Sequence, residues 1–227
     1  MRVINRLNAV ESAPLSRRVR AENVPYWALV IARAVPALVI AAVITFSADH
    51  STLLGFTLFA FFAVSSGIIV GLGGMLVRHS PLTTTLSIAR GITGVVTGFV
   101  AAVAAIGGSG ISIGRFIFLI SASMAITGVL ELYAGLRSTR VFAPKRDLVF
   151  VGALTVFFAT AVLFIPLELR DPVTGQHGVE GYLTAPVVAV GLFGAYCAVI
   201  AVYLVIAGLS LKWEPPSNAA LAAERVE

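Results

Sequence analysis

The chain has 227 residues, of which 58% are hydrophobic and only 12% are charged, and its mean hydropathy is +0.96. Because a soluble domain is typically about a quarter charged, this composition excludes a soluble enzyme, a nucleic-acid-binding module and a disordered scaffold, and predicts an all-α polytopic membrane protein. The formal net charge of +5 comes mainly from the connections between apolar runs, so it indicates contact with anionic lipid headgroups and no nucleic-acid partner.

Six apolar runs are long enough to cross a bilayer as helices, since a span needs about 20 mainly apolar residues. In chain order they cover 26–47, 52–78, 83–106, 111–136, 148–167 and 184–211. They form a predicted transmembrane domain, 26–211, between a basic N-terminal segment, 1–25, and a cytoplasmic tail, 212–227. The N-terminal segment is too long for the leader of a cleaved signal peptide, so we expect the first run to remain as a signal anchor. The segment itself fits either a short interfacial helix or a disordered basic leader.

Lys and Arg residues are distributed unequally between the two sides of this domain. Twelve lie in the N-terminal segment, the second and fourth connections and the tail, whereas the first, third and fifth connections contain only Arg170. The positive-inside rule therefore places both termini in the cytoplasm, and we expect the protein in the bacterial cytoplasmic (inner) membrane. The fifth connection, 168–184, is predicted as an extracytoplasmic loop rich in turn formers, in which His177 is either a pH sensor or a solvated histidine.

The six runs are predicted to form three helical hairpins, and the first two share a pattern. In the first hairpin Arg33 is followed by Ser65-Ser66-Gly67, and in the second Arg90 is followed by Ile126-Thr127-Gly128. The third hairpin keeps the layout but has no equivalent Arg. The pattern is either an internal repeat or a coincidence between Gly-rich helices.

The stretches 90–98 and 126–137, which carry the second copy of this pattern, resemble the short membrane repeat of HdeD-like proteins. These are six-span bacterial inner-membrane proteins associated with acid resistance. The resemblance implies a non-enzymatic protein that contributes to envelope stress or acid resistance, and it supplies no catalytic residues.

Four charged residues stand out inside the predicted spans, where a charge is costly unless it is paired or wetted. Arg115 lies near the outer end of its span and can extend to the headgroups. Arg33, Arg90 and Glu131 are predicted at a similar depth from the cytoplasmic side, so we expect Glu131 to pair with one of the arginines. One interpretation is a structural clasp of Glu131 with Arg90, while Arg33 extends to the headgroups. The other is an anion-binding or proton-responsive site that is open to the cytoplasm.

Glycines at four-residue spacing predict close helix approach. Gly67 and Gly71 form one GxxxG motif, Gly94 and Gly98 form a second, and Gly128 belongs to the repeated pattern. These motifs indicate packing within the bundle or, alternatively, dimerisation. The single cysteine, Cys197, lies in an apolar run and is expected to be a buried thiol.

The sequence contains no group of residues that predicts catalysis, a metal site or a cofactor. Gly107–Gly110 matches the serine motif of intramembrane proteases around Ser109, but no predicted span contains a histidine that could act as the base. Two functional alternatives to the HdeD-like role remain, namely a small transporter or channel for an anion or proton, and an accessory subunit of a larger membrane complex. A homo-oligomer or a membrane-protein partner is compatible with each.

Overall fold

The computed structural model describes residues 25–76, 81–108, 110–137, 145–174 and 180–213 of the chain. Within these ranges six helices are long and apolar enough to cross a membrane, which confirms the prediction of an all-α, multi-pass membrane protein. The helices are α1 (Tyr26–Phe46), α2 (Thr52–Leu76), α3 (Pro81–Gly107), α4 (Ile113–Arg137), α5 (Lys145–Leu163) and α6 (Ala185–Trp213). Two short strands, β1 (Arg170–Thr174) and β2 (Glu180–Thr184), lie between α5 and α6.

Local chain chemistry sets several helix ends. The hydroxyl of Ser51 accepts a hydrogen bond from the backbone N–H of Leu54, and the hydroxyl of Ser112 accepts one from that of Arg115, each at 3.3 Å. Each serine therefore caps the first turn of its helix, α2 or α4. At the end of α3, Gly108 has a φ of 64°, a left-handed conformation that glycine adopts without a steric penalty.

The fifth connection is more regular than the predicted loop. Helix α5 ends at Leu163, before the predicted boundary at 167, because Pro166 has no N–H to continue the helix. Strands β1 and β2 then pair antiparallel, and the guanidinium of Arg170 lies 4.5 Å from the centroid of the Tyr182 ring. The prediction missed this hairpin because Pro172 and the glycines around it interrupt any alternation of apolar residues.

The most extensive helix contacts join helices from different predicted hairpins. Helix α2 packs against α3, α4 packs against α5 and α6 packs against α1, while the two helices of each predicted hairpin contact each other less. Helices α2, α4 and α6 also contact one another, so these three form the centre and α1, α3 and α5 lie around them. The predicted hairpins therefore describe the order of the chain, whereas the closest packing pairs a helix with one from the next hairpin.

Glycines near the C-terminal ends of the three central helices extend the repeat to all three close pairs. A Cβ atom added to any of them would lie within 2.8 Å of an atom in the neighbouring helix. Gly74 faces Ser87 of α3, Gly135 faces Val149 of α5 and Gly208 faces Ile31 of α1. The third hairpin thus shares a structural repeat with the first two, beyond the layout that the sequence alone indicated.

The two ends of the bundle differ in composition. We call the end where α1, α3 and α5 begin the inner end, which is the predicted cytoplasmic side, and the opposite end the outer end. Buried aromatic rings fill the outer half: Phe56 meets Phe116 edge-on at 5.2 Å between centroids, and Phe193 meets Phe59 at 5.9 Å. Cys197 is fully buried in this core, as predicted.

Several predictions concern residues outside the described ranges. These are the interfacial helix or leader in the N-terminal segment, the tail beyond Trp213, the loop residue His177 and the serine motif at Ser109.

Candidate functional site: a polar cavity at the centre of the bundle

A cavity of about 80 Å³ lies between the three central helices. Its walls follow the repeat, because residues four, eight and twelve positions before the shared glycines Gly74, Gly135 and Gly208 all line it. Residues four apart lie on the same face of a helix. Counted from the inner end, the three layers are Val70, Glu131 and Leu204, then Ser66, Thr127 and Ile200, then Phe62, Ser123 and Tyr196.

The charged residues predicted from the sequence meet at the innermost layer of this cavity. A terminal nitrogen of Arg33 lies 3.0 Å from Oε1 of Glu131 and 3.3 Å from its Oε2. A terminal nitrogen of Arg90 donates to the same Oε2 at 2.5 Å. Glu131 therefore pairs with both arginines, and Arg33 does not simply extend to the headgroups as the clasp interpretation required. We call these three side chains the charged layer.

The charged layer is buried, and its charges do not balance. The side chains of Arg90 and Glu131 are 8% and 3% exposed, and that of Arg33 is 15% exposed. Among the described residues, Glu131 is the only acid within ion-pair distance of either arginine. Two guanidinium groups therefore share one carboxylate, and the layer carries one positive charge in excess.

Two atoms of the charged layer also lack hydrogen-bond partners within the described part of the chain. Nε of Arg90 is buried without an acceptor, and Oε1 of Glu131 is buried without a donor in hydrogen-bond geometry, although Arg33 lies at ion-pair distance. An unsatisfied buried N–H of a guanidinium costs free energy that a bound acceptor would recover. The charged layer can thus donate a hydrogen bond to a further acceptor, and a negatively charged acceptor would bind most favourably.

Space extends from the charged layer towards the inner end. One small cavity connects Arg33 and Arg90 with Tyr26 and Thr83, and another connects Arg33 and Glu131 with Asp147. Tyr26, Thr83 and Asp147 all lie in the first turn of their helices, at the inner end. On the opposite side of the central cavity lies the aromatic cluster of the outer half, in which Phe62 contacts both Phe193 and Tyr196. The arrangement favours access from the inner end.

Hydroxyl groups complete the wall of the cavity, and none of them was predicted from the sequence as a site residue. Thr155 shares a hydrogen bond of 3.0 Å with Tyr196, and Ser123 shares one of 2.9 Å with Thr97. Single Ser, Thr and Tyr residues in apolar helices carry little signal on their own. Counting back along the chain in steps of four residues from Gly74, Gly135 and Gly208 would have identified a set of residues on one face of each helix. That set includes Ser66, Ser123, Thr127 and Tyr196.

The predicted packing glycines lie between helices of the same chain. Gly67 approaches Gly91 and Gly94, Gly98 approaches Ala60, and Gly128 approaches Thr155 and Val156. Gly71 lies at ordinary contact distance, with a built Cβ 3.5 Å from the nearest atom across the interface. These glycines therefore serve packing within the bundle, and the faces that carry them are not open for dimerisation.

Comparison with protein-family models, with curated proteins and with solved structures finds no match to this chain. The class of protein that the fold and the cavity define is a multi-pass helical membrane protein with a buried, charged polar centre. The HdeD-like family, the inner membrane as its location and the absence of enzymatic activity stay predictions.

Proposed function

We propose that this non-enzymatic membrane protein binds a small monovalent anion in its central cavity, taken up from the inner end of the bundle. The observation that carries the proposal is the excess positive charge of the charged layer, together with the unpartnered Nε of buried Arg90. An unpaired charge inside a membrane-spanning helix is costly, by about 2.5–3.5 kcal/mol at the helix centre even on permissive scales. One bound negative charge would offset one of the two guanidinium charges and supply the missing hydrogen-bond acceptor.

The size and lining of the cavity restrict the class of anion. A volume of about 80 Å³ corresponds to roughly two or three water molecules at about 30 Å³ each, so a monatomic or few-atom anion such as chloride, nitrate or formate fits. A nucleotide or a sugar phosphate is too large. Because the excess is a single charge, a monovalent anion matches it best, and the hydroxyls of Ser66 and Thr127 lie in the adjacent layer.

Thermal unfolding of the purified protein in a nonionic detergent tests this proposal. We compare nitrate with gluconate, a larger monovalent anion, at equal ionic strength. Binding at a hundred times the Kd would stabilise the folded state by about 2.7 kcal/mol, so nitrate should raise Tm relative to gluconate. Equal Tm values in the two salts would contradict the proposal and leave the charged layer with a structural role.

Two variants separate anion binding from general stability. Arg90→Gln leaves Glu131 paired with Arg33 and removes the charge excess, so the nitrate-dependent rise in Tm should disappear. Ser121→Ala changes a buried hydroxyl of α4, the helix of Glu131, that does not line the central cavity, so it should retain that rise. Loss of the rise in both variants would indicate a general effect on folding.

The physiological role that we propose rests on the resemblance to HdeD-like proteins, in envelope stress or acid resistance at the bacterial inner membrane. Survival of a deletion strain after mild acid challenge tests it, with complementation by wild type, Arg90→Gln and Glu131→Gln. We expect wild type alone to restore survival. An unchanged deletion strain would refute the stress role, and co-purification of another membrane protein at fixed stoichiometry would favour the accessory-subunit alternative.

A further inference from the structure

We infer that anion binding in the central cavity is linked to protonation of Glu131, so that the protein takes up a proton as the anion binds. This inference rests on the proposed anion site and adds its regulation. Glu131 contributes the carboxylate that holds both arginines, and the same side chain lines the cavity in which the anion would lie. The bound anion and the carboxylate of Glu131 are therefore both negative, and both lie against the same two guanidinium groups.

The burial of these groups makes the repulsion strong. Glu131 is 2% exposed as a residue, so little water lies between its carboxylate and an anion at Arg90. In such surroundings, a negative charge a few ångströms from the anion lowers the binding affinity of that anion by more than about tenfold. A proton on Glu131 removes this repulsion, and by reciprocity a bound anion favours that proton to the same degree.

The atom that would receive the proton can be identified from the geometry. Oε2 of Glu131 accepts hydrogen bonds from both Arg33 and Arg90, whereas Oε1 accepts none from the described residues. A proton on Oε1 leaves the two bonds to Oε2 in place and replaces the ion-pair contact of 3.0 Å between Oε1 and Arg33. The carboxyl group then becomes a donor, which can point to the bound anion, while Nε of Arg90 supplies a second donor.

The other titratable and charged groups near Glu131 lie around the same cavities. Arg33 and Tyr26 come from α1, Arg90 from α3, Asp147 from α5 and Tyr196 from α6, while α2 presents apolar Val70. Asp147 is the second acid that faces this space, at its inner mouth. It accepts a hydrogen bond of 2.7 Å from Tyr203 and makes no ion pair with the charged layer, so it serves as a control position.

Isothermal titration of the purified protein with nitrate tests the linkage, with gluconate as the background anion. Glu131→Gln mimics the protonated side chain, so it should bind nitrate at least about tenfold more tightly than wild type at neutral pH. The affinity of wild type should rise as the pH falls, while that of Glu131→Gln stays constant. Asp147→Asn should retain the pH dependence and change the affinity far less.

The outcomes separate this inference from the anion site itself. If folded wild type and Glu131→Gln both bind no nitrate, the anion site is wrong. If wild type binds nitrate but Glu131→Gln binds it no more tightly, or keeps the same pH dependence, the linkage is overturned and the anion site stands. If Glu131→Gln fails to fold, titrations of wild type with nitrate in buffers of different ionisation enthalpy measure the number of protons taken up on binding. The absence of proton uptake from pH 5 to 8 would also overturn the linkage.

Discussion

Gly67 and Gly71 belong to one GxxxG motif, yet the structure predicts opposite tolerance to alanine. A Cβ on Gly67 would lie 2.8 Å from the carbonyl oxygen of Gly91 and 2.9 Å from the backbone nitrogen of Val95. Both atoms are backbone and cannot rotate away, so α2 and α3 must separate by roughly half an ångström to reach ordinary contact at 3.4 Å. A Cβ on Gly71 already lies at ordinary contact distance.

The expected cost follows from these distances. Forcing an extra carbon into a packed interface costs about 1–3 kcal/mol, and the better helix propensity of alanine returns about 0.5–1 kcal/mol. Gly67→Ala should therefore destabilise the protein by roughly 1 kcal/mol and by at most about 2.5 kcal/mol, whereas Gly71→Ala should be neutral or slightly stabilising. Both variants change the same residue type in the same helix, one turn apart, so each controls for the other.

Unfolding by sodium dodecyl sulfate in mixed micelles, followed by circular dichroism, measures the difference. We expect the midpoint for Gly67→Ala at a lower detergent fraction than that for wild type, with Gly71→Ala at or above wild type. Equal destabilisation of the two variants would refute the reasoning, because it would mean that the motif as a whole, and not the backbone contact at Gly67, limits the approach of the helices.

Two further predictions follow from burial and from charge. Phe193, which is 1% exposed, should lose about 3–5 kcal/mol of stability on substitution by alanine, whereas Phe164, which is 78% exposed, should lose little under the same unfolding assay. For orientation, a membrane-impermeant maleimide should label Asp49→Cys in intact cells and Lys145→Cys only after permeabilisation. Buried Cys197 should stay unlabelled in the folded protein. The reverse labelling pattern would place the inner end outside the cell.

The sequence by itself determined the six spans, because the number of apolar residues needed to cross a bilayer is a local property of the chain. It also identified the charged layer, since a buried charge requires a partner and only Glu131 could serve Arg33 and Arg90 at the same depth. The depth of each residue followed from counting along its helix.

Only the tertiary structure decided which helices pack together and how the charges are shared. Helix order along the chain suggested hairpin neighbours, but the distance at which two backbones can approach depends on which faces meet. A Cβ on Gly91 of α3 would lie 2.7 Å from Cα of Gly71 in α2, and a Cβ on Gly152 of α5 would lie 2.5 Å from the backbone nitrogen of Leu132 in α4. The hydroxyl-lined cavity forms only because three helices meet at the centre of the bundle. Ser66, Thr127 and Tyr196 come from different helices, so no local pattern shows that they line one cavity. The charge excess of the layer likewise appears only when Arg33 and Arg90 reach the same carboxylate, because a local pattern cannot show that two distant side chains share one partner.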